Sequence, residues 1–240
     1  MQIISDLVSA GVVCAASGSF AWGAVAPSSQ LFGPTIRRTG DSSTIALTFD
    51  DGPNPAATPQ LLRILDSHDV KATFFLIGER VSQEASLAKE IAERGHTVGN
   101  HTYTHPNLTF RLPGSISAEL DRCDAAIETA TGQKPRWMRP PFGYRSPLLG
   151  SLVGKQDGMG VVMWTRSARD WITQSAESMI RRLRGVRGGD IVLLHDGDHR
   201  RPQSDRQHTL KALEHWLPRW KDAGLRFVTL DEVAGNQSHG

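Results

Sequence analysis

Cysteine is nearly absent: Cys14 and Cys123 are the only two in 240 residues. Two thiols, one in an apolar N-terminal stretch and one in an expected helix, build neither a disulfide framework nor a cysteine metal site. An excess of one charge is missing too. With 27 basic and 25 acidic residues, the net charge of +2 gives no argument for a nucleic-acid partner. The basic cluster Arg181 to Gly189 reads as a solvated helix face before it reads as an anion-binding surface. No membrane span is expected, because the apolar run Leu7 to Ala16 is too short to cross a bilayer. That run has no positive residues ahead of it and is preceded by Asp6, unlike a well-formed secretory signal. Residues 1–43 are therefore expected to be a degenerate export signal, a product of a misplaced start, or a helix packed on the domain. The compartment is open with them: cell envelope or secreted if the segment exports, cytoplasmic otherwise. Low-complexity tracts, fixed-period repeats and carbohydrate-binding or wall-anchoring appendages are not visible.

What is present suits a globular core: 39% hydrophobic and 22% charged residues, in a chain long enough for one large α/β domain or two small ones. From Thr44 onward short apolar runs alternate with amphipathic stretches, the pattern of repeated β-α units around a parallel sheet. Candidate strands are TIALTFD, KATFFLIG, HTVGNH, RWMRPP, GVVMWT, DIVLLHD and RFVTL. Expected helices lie between them. One runs over TPQLLRILDSHD with Thr58 as N-cap, and one opens at Ser82 and closes at Gly95. Another, ending at Gly132, repeats apolar residues at Ile116, Leu120, Cys123 and Ile127. The expected fold is α/β: a distorted or incomplete (β/α) barrel of about seven parallel strands with outer helices, filling residues 44–240.

In such folds the reactive residues gather at the C-terminal ends of strands. Asp50 and Asp51 end the first strand, in TFDDGPNP. Two adjacent carboxylates repel and resist burial, so either they punctuate a turn or something offsets their charge. His101 and His105, four apart before Pro106, would share one face of a helical turn. Alone they could be a surface or packed pair. With a carboxylate from Asp50 or Asp51 they make a plausible site of two histidines and one carboxylate, and a cation there would offset the acidic pair.

TFDDG, HTYTH, RPPFG, RDW and LLH stand in the order and at about the spacing of the NodB-like polysaccharide deacetylases, which this chain resembles from about Thr44 to Val233. Members of that family are metal-dependent carbohydrate esterases that remove acetyl groups from chitin, peptidoglycan or xylan. The resemblance implies Asp50 as general base, Asp51, His101 and His105 as metal ligands, and His195 as the acid. It further implies that Arg139 pairs with the base, that Asp170 orients His195, and that Phe142 offers its backbone N–H to the oxyanion. Trp171 and Leu193 would line the acetyl pocket. One divalent ion is implied, zinc usually, with cobalt, nickel or iron open to the same ligands. Many members carry a further Asp three residues before the one in RDW. Here that position is Ser167, which implies a local change in hydrogen bonding.

The expected function is removal of acetyl groups from an N-acetylated polysaccharide or oligosaccharide, peptidoglycan or chitin-like, by a monomeric enzyme. A small-amide or formamide hydrolase on the same fold and a non-catalytic glycan-binding module are the competing readings. His199 and His208, in HDGDHRRPQSDRQH, read as a solvated loop, with shaping of the groove as the alternative.

Overall fold

A computed structural model describes residues 17–156 and 158–237. The apolar run Leu7–Ala16 and Cys14 therefore lie outside the described residues. The first strand, β1 (Thr44–Gly52), is buried along its whole length. Residues on a strand alternate between faces, so Ile45, Leu47 and Phe49 join the core beneath the helices while Ala46, Thr48 and Asp50 point into the barrel. Each large apolar side chain buried this way contributes about 1.5–3 kcal/mol.

Around β1 stand β2 (Thr73–Leu76), β3 (Thr97–Asn100), β4 (Trp137–Met138), β5 (Gly160–Val161), β6 (Arg166–Ser167) and β7 (Ile191–His195). They run in the order β5-β4-β3-β2-β1-β7-β6, and β8 (Arg226–Phe227) joins β1 off that path. Every named strand pairing is parallel. This is the expected distorted barrel, with its wall open between β5 and β6. Residues ahead of β1 help to close it: Ile36 bridges to Val162 and Arg38 to Asp190.

The helices are α1 (Thr58–Ser67), α2 (Gly78–Gln83), α3 (Ala85–Glu93), α4 (Pro113–Thr131), α5 (Leu149–Val153), α6 (Ala176–Leu183), α7 (Gln207–Asp222) and α8 (Leu230–Gln237). Residues 17–25 are also helical. The stripe Ile116, Leu120, Cys123 and Ile127 is buried, and left-handed Gly132 ends α4 as its lack of a Cβ allows. Several boundaries differ from the sequence reading. The helix expected to open at Ser82 is two, α2 and α3, joined at Glu84, and Ser82 lies inside α2 with its hydroxyl on the Gly78 carbonyl. Thr58 is not a cap. Ala57 takes that place, while the Thr58 hydroxyl accepts from the Asn54 N–H and donates to the Asp196 carboxylate. Strand β6, two residues long, is too short to announce itself by periodicity.

Arg145 ties the N-terminal residues to the barrel. Its guanidinium is buried, has no acidic partner among the described residues, and donates to the carbonyls of Ala26 (2.6 Å) and Ser29 (2.7 Å). Among the described residues no helix is long and apolar enough to cross a membrane.

Candidate functional site

Strict alternation along β1 would send Asp50 and Asp51 to opposite faces. The chain defeats it. The pairing register with β2 shifts between Asp50 and Gly52, and Asp51 takes a left-handed φ of 71°, which turns both carboxyls toward one cavity. A non-glycine residue in that region costs of order 1–3 kcal/mol and persists only where its surroundings enforce it. Gly197, just after β7, is part of that enforcement: its N–H donates to the Asp50 carbonyl at 3.3 Å, and a Cβ there would overlap the Asp51 carbonyl.

The histidines reach the same cavity by another local route than the sequence implies. No helical turn holds them. His101 leaves β3 directly, and Thr102 and His105 both have left-handed backbones, φ 64° and 57°. The bend is pinned by Glu119 of α4, whose carboxylate accepts from the N–H groups of Tyr103 (3.0 Å) and Thr104 (2.7 Å). His101 Nδ1 lies 2.7 Å from the Arg139 carbonyl, which can only accept, so Nδ1 carries the proton and Nε2 presents a lone pair. That lone pair faces Asp51 Oδ1 at 3.4 Å, and His105 Nε2 is 3.2 Å from the same oxygen. Asp51 Oδ1 is buried with no hydrogen-bond partner among the described residues. A buried carboxylate oxygen left unsatisfied is unfavourable unless a positive charge sits beside it. The three atoms lie within 4.8 Å of one another, a fit for one small cation.

Asp50 has a different partner. Arg139, entering from the end of β4, is fully buried in the barrel, with Nη1 2.8 Å from Asp50 Oδ1 and 2.7 Å from the Thr48 hydroxyl. Its guanidinium lies 4.3 Å over the Phe75 ring. Across the cavity, His195 at the end of β7 is gripped twice by Asp170: backbone N–H to Oδ2 at 2.7 Å, and Nδ1 to Oδ1 at 2.8 Å. Burial opposes charging His195, but the Asp170 carboxylate more than compensates, with Asp51 and Asp50 adding to it, and the imidazole is pushed up to about 9. An unperturbed imidazole titrates near 6.5; the tightness of the Asp170 grip makes the difference.

The cavity holds about 430 Å³, and Leu193, Phe142, Trp171 and Tyr144 are in its wall. Phe142 sits at φ 60° in a tight turn over Pro141–Gly143, with its ring 4.6 Å from His105. Phe142 and Trp171 are 44% and 50% exposed, so the rim presents aromatic surface to solvent. Ser167 uses its hydroxyl locally, accepting from the Arg169 N–H at 3.1 Å. All ten residues singled out in the sequence thus meet at one end of the barrel.

Three more belong there. Arg206 donates to the Asp170 carbonyl (2.9 Å) and to Gly197; nothing in its local sequence sets it apart from other loop arginines. Asp196, packed under Gly52, has its pKa pushed up to about 7, by burial first. Its place directly after the LLH motif was the available signal. His199 lines the cavity, whereas His208 lies behind it, with Nε2 3.2 Å from the Asp170 carbonyl.

An α/β barrel carrying paired aspartates, two imidazoles and a carboxylate-bound histidine at the C-terminal ends of its strands has them where such folds keep their reactive groups. The family model for polysaccharide deacetylases matches residues 37–161, and the chain belongs to that family. It is 36% identical over 208 residues to a chitooligosaccharide deacetylase of Bradyrhizobium, covering 82% of this chain and 94% of that one. It is 34% identical over 205 residues to a peptidoglycan-N-acetylglucosamine deacetylase of Listeria monocytogenes, covering 85% of this chain. The matched region is only 41% of the Listeria enzyme's length. Among solved structures, a CE4 family pseudoenzyme from Bacillus anthracis matches with a TM-score of 0.73 at 32% identity, over 83% of this chain and 68% of that one.

Proposed function

We propose that the protein is a metal-dependent hydrolase that removes acetyl groups from an N-acetylated glycan, peptidoglycan or a chitin-like oligomer. One observation carries this reading: the unsatisfied Asp51 Oδ1 facing two imidazole nitrogens, in a cavity that also holds the Arg139–Asp50 and Asp170–His195 pairs. The likeness to a pseudoenzyme means that family membership alone does not carry activity; the site residues do.

Asp51, His101 and His105 would hold the divalent ion, with zinc the first choice for this donor set and cobalt, nickel or iron compatible with it. When bound, such an ion supplies Lewis acidity toward the acetyl carbonyl and the attacking water. Asp50, aimed by Arg139, takes the water's proton. The backbone N–H of Phe142 supports the developing oxyanion. His195 enters the reaction charged, because Asp170 stabilises its imidazolium, and gives the Nε2 proton to the departing amine. Leu193 and Trp171 enclose the acetyl methyl group, and the exposed rim favours a sugar chain lying across the mouth over a small amide sealed inside.

The test is acetate release from chitin oligomers, peptidoglycan, acetylated xylan and simple amides, with and without chelator. Release from N-acetylglucosamine substrates that stops with chelator is expected. Metal-loaded protein that releases acetate from none of them overturns the proposal, and release from simple amides alone moves the substrate to that class.

A further inference from the structure

The two candidate ligand histidines are supported unequally. His101 gives its Nδ1 proton to the Arg139 carbonyl, the usual way a metal-binding imidazole is fixed in plane. His105 has no such partner among the described residues: its Nδ1 is buried and unpaired there. What holds its ring is packing. Phe142 meets it edge-on at 4.6 Å, and His199 lies nearly parallel on it, ring centroids 4.3 Å apart at 20°. The His199 ring also meets Phe142 edge-on, at 5.2 Å.

His199 holds Asp51 as well. Its backbone N–H donates to Asp51 Oδ2 at 3.3 Å, and its Nδ1 lies 3.6 Å from that oxygen. The carboxylate is thereby divided, with Oδ2 facing His199 and Oδ1 facing His101 and His105. The loop itself is well anchored. Arg80 of α2 donates to the His199 carbonyl at 3.4 Å, and the Asp198 carboxylate accepts from the Arg200 N–H at 2.9 Å.

Resting on the metal reading above, we infer that His199 is a positioning residue of the metal site. It restricts Asp51 to ligation through one oxygen and fixes the plane of His105, taking the place of the hydrogen bond that His105 lacks. A group that orients a ligand in this way is worth about 10–100-fold in metal affinity.

The experiment measures affinity of the full chain for Zn²⁺ and Co²⁺ by chelator competition, in the native protein and in His199→Ala, His199→Phe and His199→Gln. His199→Ala is expected to weaken binding by about 10–100-fold and to change the visible spectrum of the Co²⁺ form. His199→Phe, which keeps the stacking face, should recover part of the loss. The metal-free melting temperature should stay at the native value in all three, separating positioning from folding. If His199→Ala proves unstable, the Phe and Gln variants carry the comparison. Native protein that binds metal with an affinity the variants share overturns this inference alone. Native protein that binds neither ion overturns the metal reading and this inference with it.

Discussion

Arg139 and Asp50 meet at 2.8 Å inside the barrel, and both are closed to solvent. Burial pushes the Arg139 guanidinium down, and the charge of Asp50 and its hydrogen bond oppose that shift, so each residue makes the other's burial tolerable. Removing one partner strands the other. Arg139→Ala is expected to destabilise the fold by about 3–5 kcal/mol, read from urea unfolding, and to abolish turnover. A loss below about 1 kcal/mol, typical of a solvent-screened pair, would contradict the structural role.

The adjacent aspartates should separate in experiment as they do in space. Asp51→Ala should lose the metal, measured by elemental analysis after dialysis. Asp50→Asn should retain it while kcat falls by about 10²–10⁴. Equal metal loss in both variants would mean that Asp50 is itself a ligand.

His195 sets a pH limit. Its folded pKa, about 9, lies above its ordinary 6.5. Its contribution to stability is therefore complete below about 6.5 and is lost as pH rises through about 9. Activity that needs the imidazolium should decline over the same alkaline range. Asp170→Asn removes the chief raising charge while burial remains, so the alkaline limb should move to lower pH; a pH–rate profile unchanged by that substitution would remove His195 as the acid.

Gly197 should tolerate no side chain. In Gly197→Ala the new Cβ would overlap the Asp51 carbonyl, and relief requires the left-handed turn at Asp51 to move. A cost of about 1–3 kcal/mol in stability, with weaker metal binding by chelator competition, is the expected result.

Much of this was legible before folding. The apolar run TIALTFD was readable as a strand ending at the two aspartates, and the order of the short motifs carried the family resemblance. The pairing of His101 with His105 was readable, but its reason was not: the spacing suits a helical turn, while the chain uses two left-handed residues and the grip of Glu119. Backbones at Asp51, His105 and Phe142 contradict local preference and are held by contacts distant in sequence.

Composition, periodicity and motif order by themselves determined an α/β barrel and which residue types gather at its strand ends, because both depend on residue type and local spacing. Tertiary structure alone decided that His199 stacks on His105, that Arg206 supports Asp170, that residues 36–38 help to close the wall, and that His195 holds its proton to about pH 9. Those outcomes depend on burial and on distances between segments far apart along the chain, which no local pattern encodes.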